Sequence, residues 1–325
     1  MNLPNIIDYD FGITAIDAQY HRPGRAAIHL IVENGVAALI DTGTQFSVPG
    51  VMQVLQNKQL APENVAYVFL THIHLDHAGG ASEFMRLLPN AKLVVHPRGA
   101  KYMINPAKLI AGVMAVYGKA EFRRLYGEIF PIDENRVLEA PDETCIELNG
   151  RLLLLLDTPG HARHHYCIFD KRSHSFFTGD TFGVSYRELD VEGLEFVFPT
   201  TTPVQFDPDA AHASLERIMS YQPQYAFLTH YSRIGHLPHH AMQMHDLIDA
   251  FVNIANQATN KTAERHEFIV QALKDLLYHR LAMHGCTWSP TEIYELLRVD
   301  IELNAMGLEI WLDQSEKSNK LYILK

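Results

Sequence analysis

The chain contains one stretch in which four side chains able to bind a metal ion follow each other closely: Thr71-His72-Ile73-His74-Leu75-Asp76-His77-Ala78-Gly79-Gly80. It follows residues 65–70 directly, and this apolar, partly β-branched run predicts a buried strand. A turn at the end of a strand is open to solvent yet rigidly anchored, so it can hold several ligands and leave a coordination position free. The stretch therefore predicts a metal site.

The spacing of the four side chains indicates how they share the ions. His72 and His74 lie two residues apart on an extended segment, so their side chains point the same way and can bind one ion. Asp76 and His77 come where the chain turns, and they can reach a second ion. The alternative is that these are surface histidines in a chain that contains 19 of them. A lone His-x-His motif leaves that alternative open, whereas four ligands directly after an apolar strand favour a metal site.

This stretch resembles the signature of the metallo-β-lactamase superfamily of metal-dependent hydrolases. Four further positions fit the family pattern, each after an apolar run: Asp41 in Asp41-Thr42-Gly43, His161 in Thr158-Pro159-Gly160-His161, Asp180 in Gly179-Asp180, and His230 in Thr229-His230. In the family, the residue at the place of Asp41 supports the metal loop without binding metal, and the other three are ligands. The match extends over residues 5–235 or so.

The resemblance also implies a ligand set and a mechanism. His72, His74 and His161 would hold one divalent ion. Asp76, His77 and His230 would hold a second ion, and Asp180 would bridge the two. Zn²⁺ suits these ligands, although the same set accepts Fe²⁺ or Mn²⁺. A hydroxide between the two ions would attack the substrate, and Asp76 would orient it and shuttle its proton.

The resemblance implies an αββα sandwich, of the α/β (α+β) class. We predict that residues 1–237 form this domain, with a helical insertion at 97–131, and that residues 238–325 form a helical C-terminal subdomain. In this tail, the apolar spacing predicts helices over 242–254 and 264–284, and a third that begins at Ser289-Pro290 and ends near Gly307. The tail packs on the sandwich, shapes the substrate pocket or forms a dimer surface.

Two segments are expected to act on the substrate. The sequence of the insertion predicts helices over 106–117 and 120–129. These helices form a lid over the site or, alternatively, a stabilising helical pair. The segment 181–206 leaves Asp180 directly and is expected to line the pocket. Tyr186 and Tyr231 are candidate catalytic donors to a developing oxyanion, but either tyrosine can instead serve packing alone.

The remaining histidines near the ligand segments are expected to have supporting or surface roles. His165 lies four residues after His161, at a place where relatives often have a histidine that supports the loop. The others are His164, His236, His239 and His240. We predict no residues for an organic cofactor.

Composition limits the class of partner. The chain has 325 residues, 47% of them hydrophobic, and a net charge of −11 with no basic stripe, so nucleic acid is not expected as a partner. Neither a signal peptide nor an apolar run of transmembrane length is found, so no membrane partner is expected. The three cysteines, Cys145, Cys167 and Cys286, are far apart and odd in number, which indicates reduced thiols and a cytoplasmic location. The expected partner is a small-molecule substrate, with a homodimer possible.

Three functions remain open at this point. The first is a dinuclear metal-dependent hydrolase of a small ester, thioester or lactone. The second is a phosphodiesterase with the same site, and the third is an iron-dependent sulfur dioxygenase or a metal-bound effector protein. Asp180 stands where the commonest β-lactamase class has Cys, and Tyr231-Ser232-Arg233 replaces the Glu-Tyr-Thr that is typical of glyoxalase II. The chain therefore resembles the hydrolase branch of the family, with glyoxalase II, lactonases and phosphodiesterases, and not a true β-lactamase. Glutathione thioesters are not favoured as substrates, and His74 disfavours a flavodiiron protein, which has Glu at that position.

Overall fold

The computed structural model of the chain describes residues 3–201, 204–261 and 263–323, without the side chains of residues 116, 117 and 317–323. Contacts divide the chain into two compact units. Unit 1 comprises Met1–Asp157, His164–Gly179 and Gln222–Gly235, and unit 2 comprises Thr158–Arg163, Asp180–Tyr221 and His236–Lys325. The predicted boundary at 237/238 stays a prediction. Two stretches that precede this boundary, Thr158–Arg163 and Asp180–Tyr221, belong to the same unit as the helical tail.

Unit 1 contains two β-sheets. The first sheet has the strand order β1 (Ile6–Tyr9), β2 (Ile13–Asp17), β3 (Ala27–Glu33), β4 (Val36–Ile40), β5 (Val65–Phe69), β6 (Lys92–Val95) and β7 (Val137–Glu139). Neighbours are antiparallel from β1 to β4 and parallel from β4 to β7. The second sheet is formed by β8 (Thr144–Leu148), β9 (Arg151–Asp157), β10 (Tyr166–Asp170), β11 (Ser175–Gly179), β12 (Ala226–Leu228) and β13 (Ser232–Ile234). The short strand β13, which the sequence analysis does not predict, pairs with β12 as an antiparallel edge strand.

The central strands β3 and β4 of the first sheet bury both of their faces. Successive side chains of a strand point to opposite faces. Accordingly, Ile31 and Ile40 belong to a buried cluster that includes Ile168 of the second sheet, whereas Leu30 and Leu39 belong to the cluster on the other side. That cluster includes residues of α1 (Val48–Asn57), α2 (Leu75–Ala78), α3 (Ala81–Leu87) and α4 (Pro97–Ile104). Burial on both faces explains why the strands read as continuous apolar runs, and the predicted sandwich of two sheets is confirmed.

The insertion is helical, as predicted, and it begins earlier than the two predicted helices. It consists of α4 followed by α5 (Ala107–Tyr117) and α6 (Lys119–Tyr126). Phe122, Leu125 and Tyr126 of α6 are buried in a small cluster together with Leu75. Because Leu75 is the first residue of α2, the insertion packs directly on the helix that carries Asp76 and His77.

Unit 2 contains the remaining helices, α7 (Pro208–Ser220), α8 (Leu237–Gln257), α9 (Arg265–His284) and α10 (Pro290–Ile323). The predicted end of α10 near Gly307 was wrong. A single glycine costs a helix only about 1 kcal/mol relative to alanine, and Leu308 and Leu312, which follow it, are buried. Among the described residues, no helix combines the length and the apolar character that crossing a bilayer would require.

Candidate metal centre

The ligand stretch of unit 1 lies where β5 leads into α2. His72 and His74 precede the helix, and their Nε2 and Nδ1 atoms are 2.9 Å apart. Asp76 and His77 lie in the single turn of α2. The sequence therefore placed these four residues correctly at the end of a strand. The described geometry brings the nitrogen atoms of His72 and His74 together, as expected for two ligands of one ion.

The carboxylate of Asp41, directly after β4, fixes this stretch in place. Its Oδ1 accepts a hydrogen bond from the backbone N–H of Thr71 at 2.8 Å. Its Oδ2 accepts hydrogen bonds from Nδ1 of His77 at 2.8 Å and from Oγ1 of Thr229 at 2.7 Å. Asp41 is fully buried and therefore cannot turn to water. It holds the His77 ring with Nε2 available for a metal, which is the supporting role that the resemblance implied.

His230 follows β12 in the second sheet and lies close to the ligand stretch, which also belongs to unit 1. Its Nδ1 donates a hydrogen bond to the carbonyl oxygen of Arg25 at 2.8 Å. Its Nε2 lies 3.4 Å from Oδ2 of Asp76, and Nε2 of His77 lies 3.9 Å from the same oxygen. One ligand atom from each of the three residues lies within 4.8 Å of the others, so Asp76, His77 and His230 can hold one metal ion.

Unit 2 contains the remaining two predicted metal ligands, His161 and Asp180. His161 donates a hydrogen bond from Nδ1 to the carbonyl oxygen of Thr200 at 3.1 Å, and its Nε2 lies 3.5 Å from Oδ2 of Asp180. Gly160 is needed beside His161. Its φ is +134°, and a Cβ there would lie 2.5 Å from Cα of Ala211 in α7. Both ligands of unit 2 are buried.

Three of the predicted ligand histidines thus share one arrangement, namely His77, His161 and His230. In each, Nδ1 donates to an oxygen, which fixes the ring and leaves Nε2 for a metal ion, the usual arrangement at protein metal sites. Ligands at 2.0–2.1 Å from a tetrahedral zinc ion lie about 3.3 Å apart. The distances of 3.4 Å from Nε2 of His230 and 3.5 Å from Nε2 of His161 to carboxylate oxygens agree with that value, and the 3.9 Å of His77 is somewhat longer. His161 and His230, each with its carboxylate, therefore fit a divalent metal ion.

Two further histidines pack on the ligand stretch in unit 1. The His165 ring stacks on the His72 ring with centroids 4.8 Å apart, and His165 is fully buried. Gly179 makes room for it, since a Cβ at Gly179 would lie 2.6 Å from Nε2 of His165. The ring of His164 lies edge-on to that of His74 at 5.7 Å. Both residues therefore have the supporting positions that the sequence predicted.

The two tyrosines named as catalytic candidates differ in their surroundings. Tyr186 is fully buried, and its hydroxyl donates to Oδ1 of Asp300 in α10 at 2.9 Å, so the packing alternative accounts for it better. Tyr231 is also buried and adjoins His230 in sequence. Its catalytic role stays a prediction.

The helical tail contacts the segment that follows Asp180. Besides the bond from Tyr186, Asn304 of α10 accepts a hydrogen bond from the backbone N–H of Thr201 at 2.6 Å through its Oδ1. Its backbone oxygen accepts one from Oγ1 of Thr201 at 3.0 Å. Thr201 adjoins Thr200, whose carbonyl holds His161. Asn304 is therefore a positioning residue that sequence reasoning missed, because it lies more than 100 residues away in the chain.

Comparison with known proteins identifies similar chains. A family model described as the metallo-beta-lactamase superfamily matches residues 21–230. The metallo-beta-lactamase fold-containing protein ST1585 of Sulfurisphaera tokodaii is 26% identical over 218 residues, which are 64% of this chain and 73% of ST1585. The acyl-coenzyme A thioesterase MBLAC2 of Homo sapiens is 26% identical over 182 residues, 52% of this chain and 63% of MBLAC2. The match thus spans less than two thirds of the thioesterase.

Solved structures show the same fold. The crystal structure of ST1585 aligns with a TM-score of 0.63 at 24% identity and covers 91% of this chain and 98% of its own. The metallo-beta-lactamase family protein TTHA1429 from Thermus thermophilus also gives a TM-score of 0.63, at 19% identity, covering 97% of this chain and 93% of its own. At these identities the likeness is one of fold.

Proposed function

The chain belongs to the metallo-β-lactamase superfamily, and from this premise we propose that it is a dinuclear metal-dependent hydrolase of small thioesters, esters or lactones. The main observation in support is the shared arrangement of His77, His161 and His230. Each ring is fixed by a hydrogen bond from Nδ1. The Nε2 atom of each ring lies within 3.9 Å of a carboxylate oxygen. We propose Zn²⁺ as the resident ion, because nitrogen-rich ligands with carboxylates suit it.

We propose that all seven residues predicted from the sequence bind the two ions: His72, His74, Asp76, His77, His161, Asp180 and His230. Bound divalent ions would lower the pKa of a coordinated water and polarise a carbonyl. The protein residues hold the ligands in position. Asp41 fixes His77, the Arg25 carbonyl fixes His230, and the Thr200 carbonyl fixes His161. We propose that Asp76, whose side chain is 23% exposed, also accepts a proton.

A thioester is the substrate class that we favour within this proposal. The similar human protein is named an acyl-coenzyme A thioesterase. An acyl chain needs an apolar surface, and the insertion offers one beside the ligand helix, since the half-buried side chains of Leu109, Ile110 and Val113 in α5 pack on the buried cluster that includes Leu75. The insertion would then act as the predicted lid that selects the acyl group. The free thiols of the three cysteines agree with a reducing, cytoplasmic location.

The first test is metal content together with turnover. The full chain is purified without chelators, its zinc, iron and manganese are measured, and it is assayed with an acyl-coenzyme A, an aryl ester, a lactone and a phosphodiester. We expect two zinc ions at the seven proposed ligands and turnover of the thioester. Asp180→Ala should lower the metal content and reduce turnover at least about 100-fold, since even a lost supporting partner costs 10–100-fold.

Asp209→Ala is the matched control, because it removes an exposed aspartate in the first turn of α7. It should leave metal content and turnover unchanged. Unchanged metal loading and turnover in Asp180→Ala would refute the bridging role. Iron with oxygen consumption and no hydrolysis would refute the hydrolase and favour the sulfur dioxygenase, whereas turnover of the phosphodiester alone would favour the phosphodiesterase.

A further inference from the structure

Unit 2 contains a second group of ligand side chains that the seven proposed ligands do not include. It consists of Glu195, in the segment between Asp180 and α7, and of His236 and His240 at the start of α8. One ligand atom from each of the three lies within 4.8 Å of the others. The sequence analysis expects surface or supporting roles for both histidines, and the structure brings both to one carboxylate.

The three side chains converge on a single oxygen atom. Nε2 of His240 lies 3.2 Å from Oε2 of Glu195, and Nδ1 of His236 lies 3.4 Å from the same atom. Both distances agree with the edge of about 3.3 Å between ligands of a tetrahedral zinc ion. His240 is fully buried and the Glu195 side chain is 12% exposed, whereas the His236 side chain is 61% exposed. The group is thus rigid on its inner side and open to an entering ion on its outer side.

The position of the two histidines at the start of α8 also fits a metal site. His236 is the N-cap residue of α8, and the backbone N–H of His240 in the first turn donates to its carbonyl oxygen at 3.2 Å, with the two ring centroids 6.4 Å apart. Two histidines with one glutamate form a known three-ligand zinc set that leaves a fourth position open. Asp190 lies close enough for its charge to interact with both Glu195 and His240, so a second carboxylate would help to balance a cation.

We propose that Glu195, His236 and His240 form a further metal site that binds Zn²⁺ or a similar divalent transition-metal ion. The ion connects the segment around Glu195 to the first turn of α8. That segment is already shaped by backbone pairing of Val191 with Leu194 and of Val184 with Phe198. A metal ion there stabilises the loop that begins at Asp180, so the site has a structural role. It does not depend on the proposed hydrolase activity.

The test is a zinc titration of the full chain after chelator treatment, with bound zinc measured by equilibrium dialysis and elemental analysis. Glu195→Gln keeps the shape of the side chain but removes its charge. His236→Asn removes an exposed ring, and Asn tolerates the left-handed backbone at this position, where φ is +48°. We expect each variant to bind one zinc ion per chain fewer than the unaltered protein, with an unchanged circular dichroism spectrum.

His239→Ala is the matched control, since it removes an exposed histidine from the same turn of α8. It should bind as much zinc as the unaltered protein. Repeating Glu195→Gln in the Asp180→Ala chain separates this site from the proposed active site, because the loss of one zinc ion should persist there. Equal zinc content in all variants, or the same loss in His239→Ala, would overturn the proposal.

Discussion

The carboxylate of Asp41 connects three chain segments of unit 1 through its two oxygen atoms. Oδ1 accepts from the N–H and Oγ1 of Thr71, and Oδ2 accepts from His77 and Thr229. An asparagine has only one acceptor oxygen, so either orientation of its amide would place an NH₂ group against two donors. A buried donor without an acceptor costs about 1–3 kcal/mol.

We therefore predict that Asp41→Asn lowers zinc affinity by about 10–100-fold, because the His77 ring loses the group that orients it. The free energy of unfolding of the metal-free protein should fall by about 1–3 kcal/mol. Zinc titration and urea unfolding measure the two effects. Asp133→Asn is the control, since Asp133 is exposed and caps a short helix, where asparagine serves equally well. Wild-type zinc affinity in Asp41→Asn would contradict the supporting role.

At individual residues, the sequence alone indicated the ligand stretch, reached His161, Asp180 and His230 through the family pattern, and gave no sign that Glu195 and His240 meet. His72, His74, Asp76 and His77 all lie within residues 72–77 and follow an apolar strand, so their shared location could be predicted. Glu195 and His240 are 45 residues apart, and Glu195 follows no strand. Nothing in the local sequence indicates that they meet, because their proximity is created by tertiary packing.

Among the elements, helix α5 of the insertion contains Gly112 at an exposed position. A Cβ at Gly112 would meet no atom within 4 Å, and its φ is not left-handed. Gly112→Ala should therefore raise the free energy of unfolding by about 0.5–1 kcal/mol, because alanine loses less backbone entropy on entering a helix. Urea unfolding of the metal-loaded protein measures the change.

Gly150→Ala provides the matched comparison for α5. A Cβ there also meets no atom within 4 Å, but φ is +92°, so backbone strain is the difference between the two sites. This variant should lose about 1 kcal/mol of stability. If Gly112→Ala were instead destabilising to the same extent, residue 112 would not be helical and the helical insertion would be wrong.

The errors at the level of elements have a common physical origin. The sequence ended α10 near Gly307 because glycine is a poor helix former, yet burial of Leu308 and Leu312 outweighs that small cost. It missed β13 because Ser232, Arg233 and Ile234 form a strand too short to show a period of two. Local propensity predicted most of the long, regular elements. The part of α10 after Gly307 and the strand β13 depend instead on the residues that pack against them.

For the whole molecule, the proposed ligands connect distant parts of the chain. The ligand stretch, with Asp76 and His77, follows β5 of the first sheet, and His230 follows β12 of the second sheet. An unfolded chain cannot hold Asp76, His77 and His230 within 4.8 Å of one another, as the folded one does. A metal ion held by these residues would therefore bind the native state in preference to the unfolded state, and by mass action it would stabilise the native state.

We predict that removing the metal with a chelator lowers the melting temperature. At free zinc about 1,000 times above the dissociation constant, one site contributes about 4 kcal/mol, and each kcal/mol corresponds to roughly 2–4 °C in a large domain. The fall should thus be on the order of 10 °C in a thermal scan. Zn²⁺ should restore the melting temperature and Ca²⁺ should not, because Ca²⁺ prefers oxygen ligands over imidazole. An identical melting temperature with and without chelator would mean that the buried histidines and carboxylates form a hydrogen-bonded cluster with no bound metal.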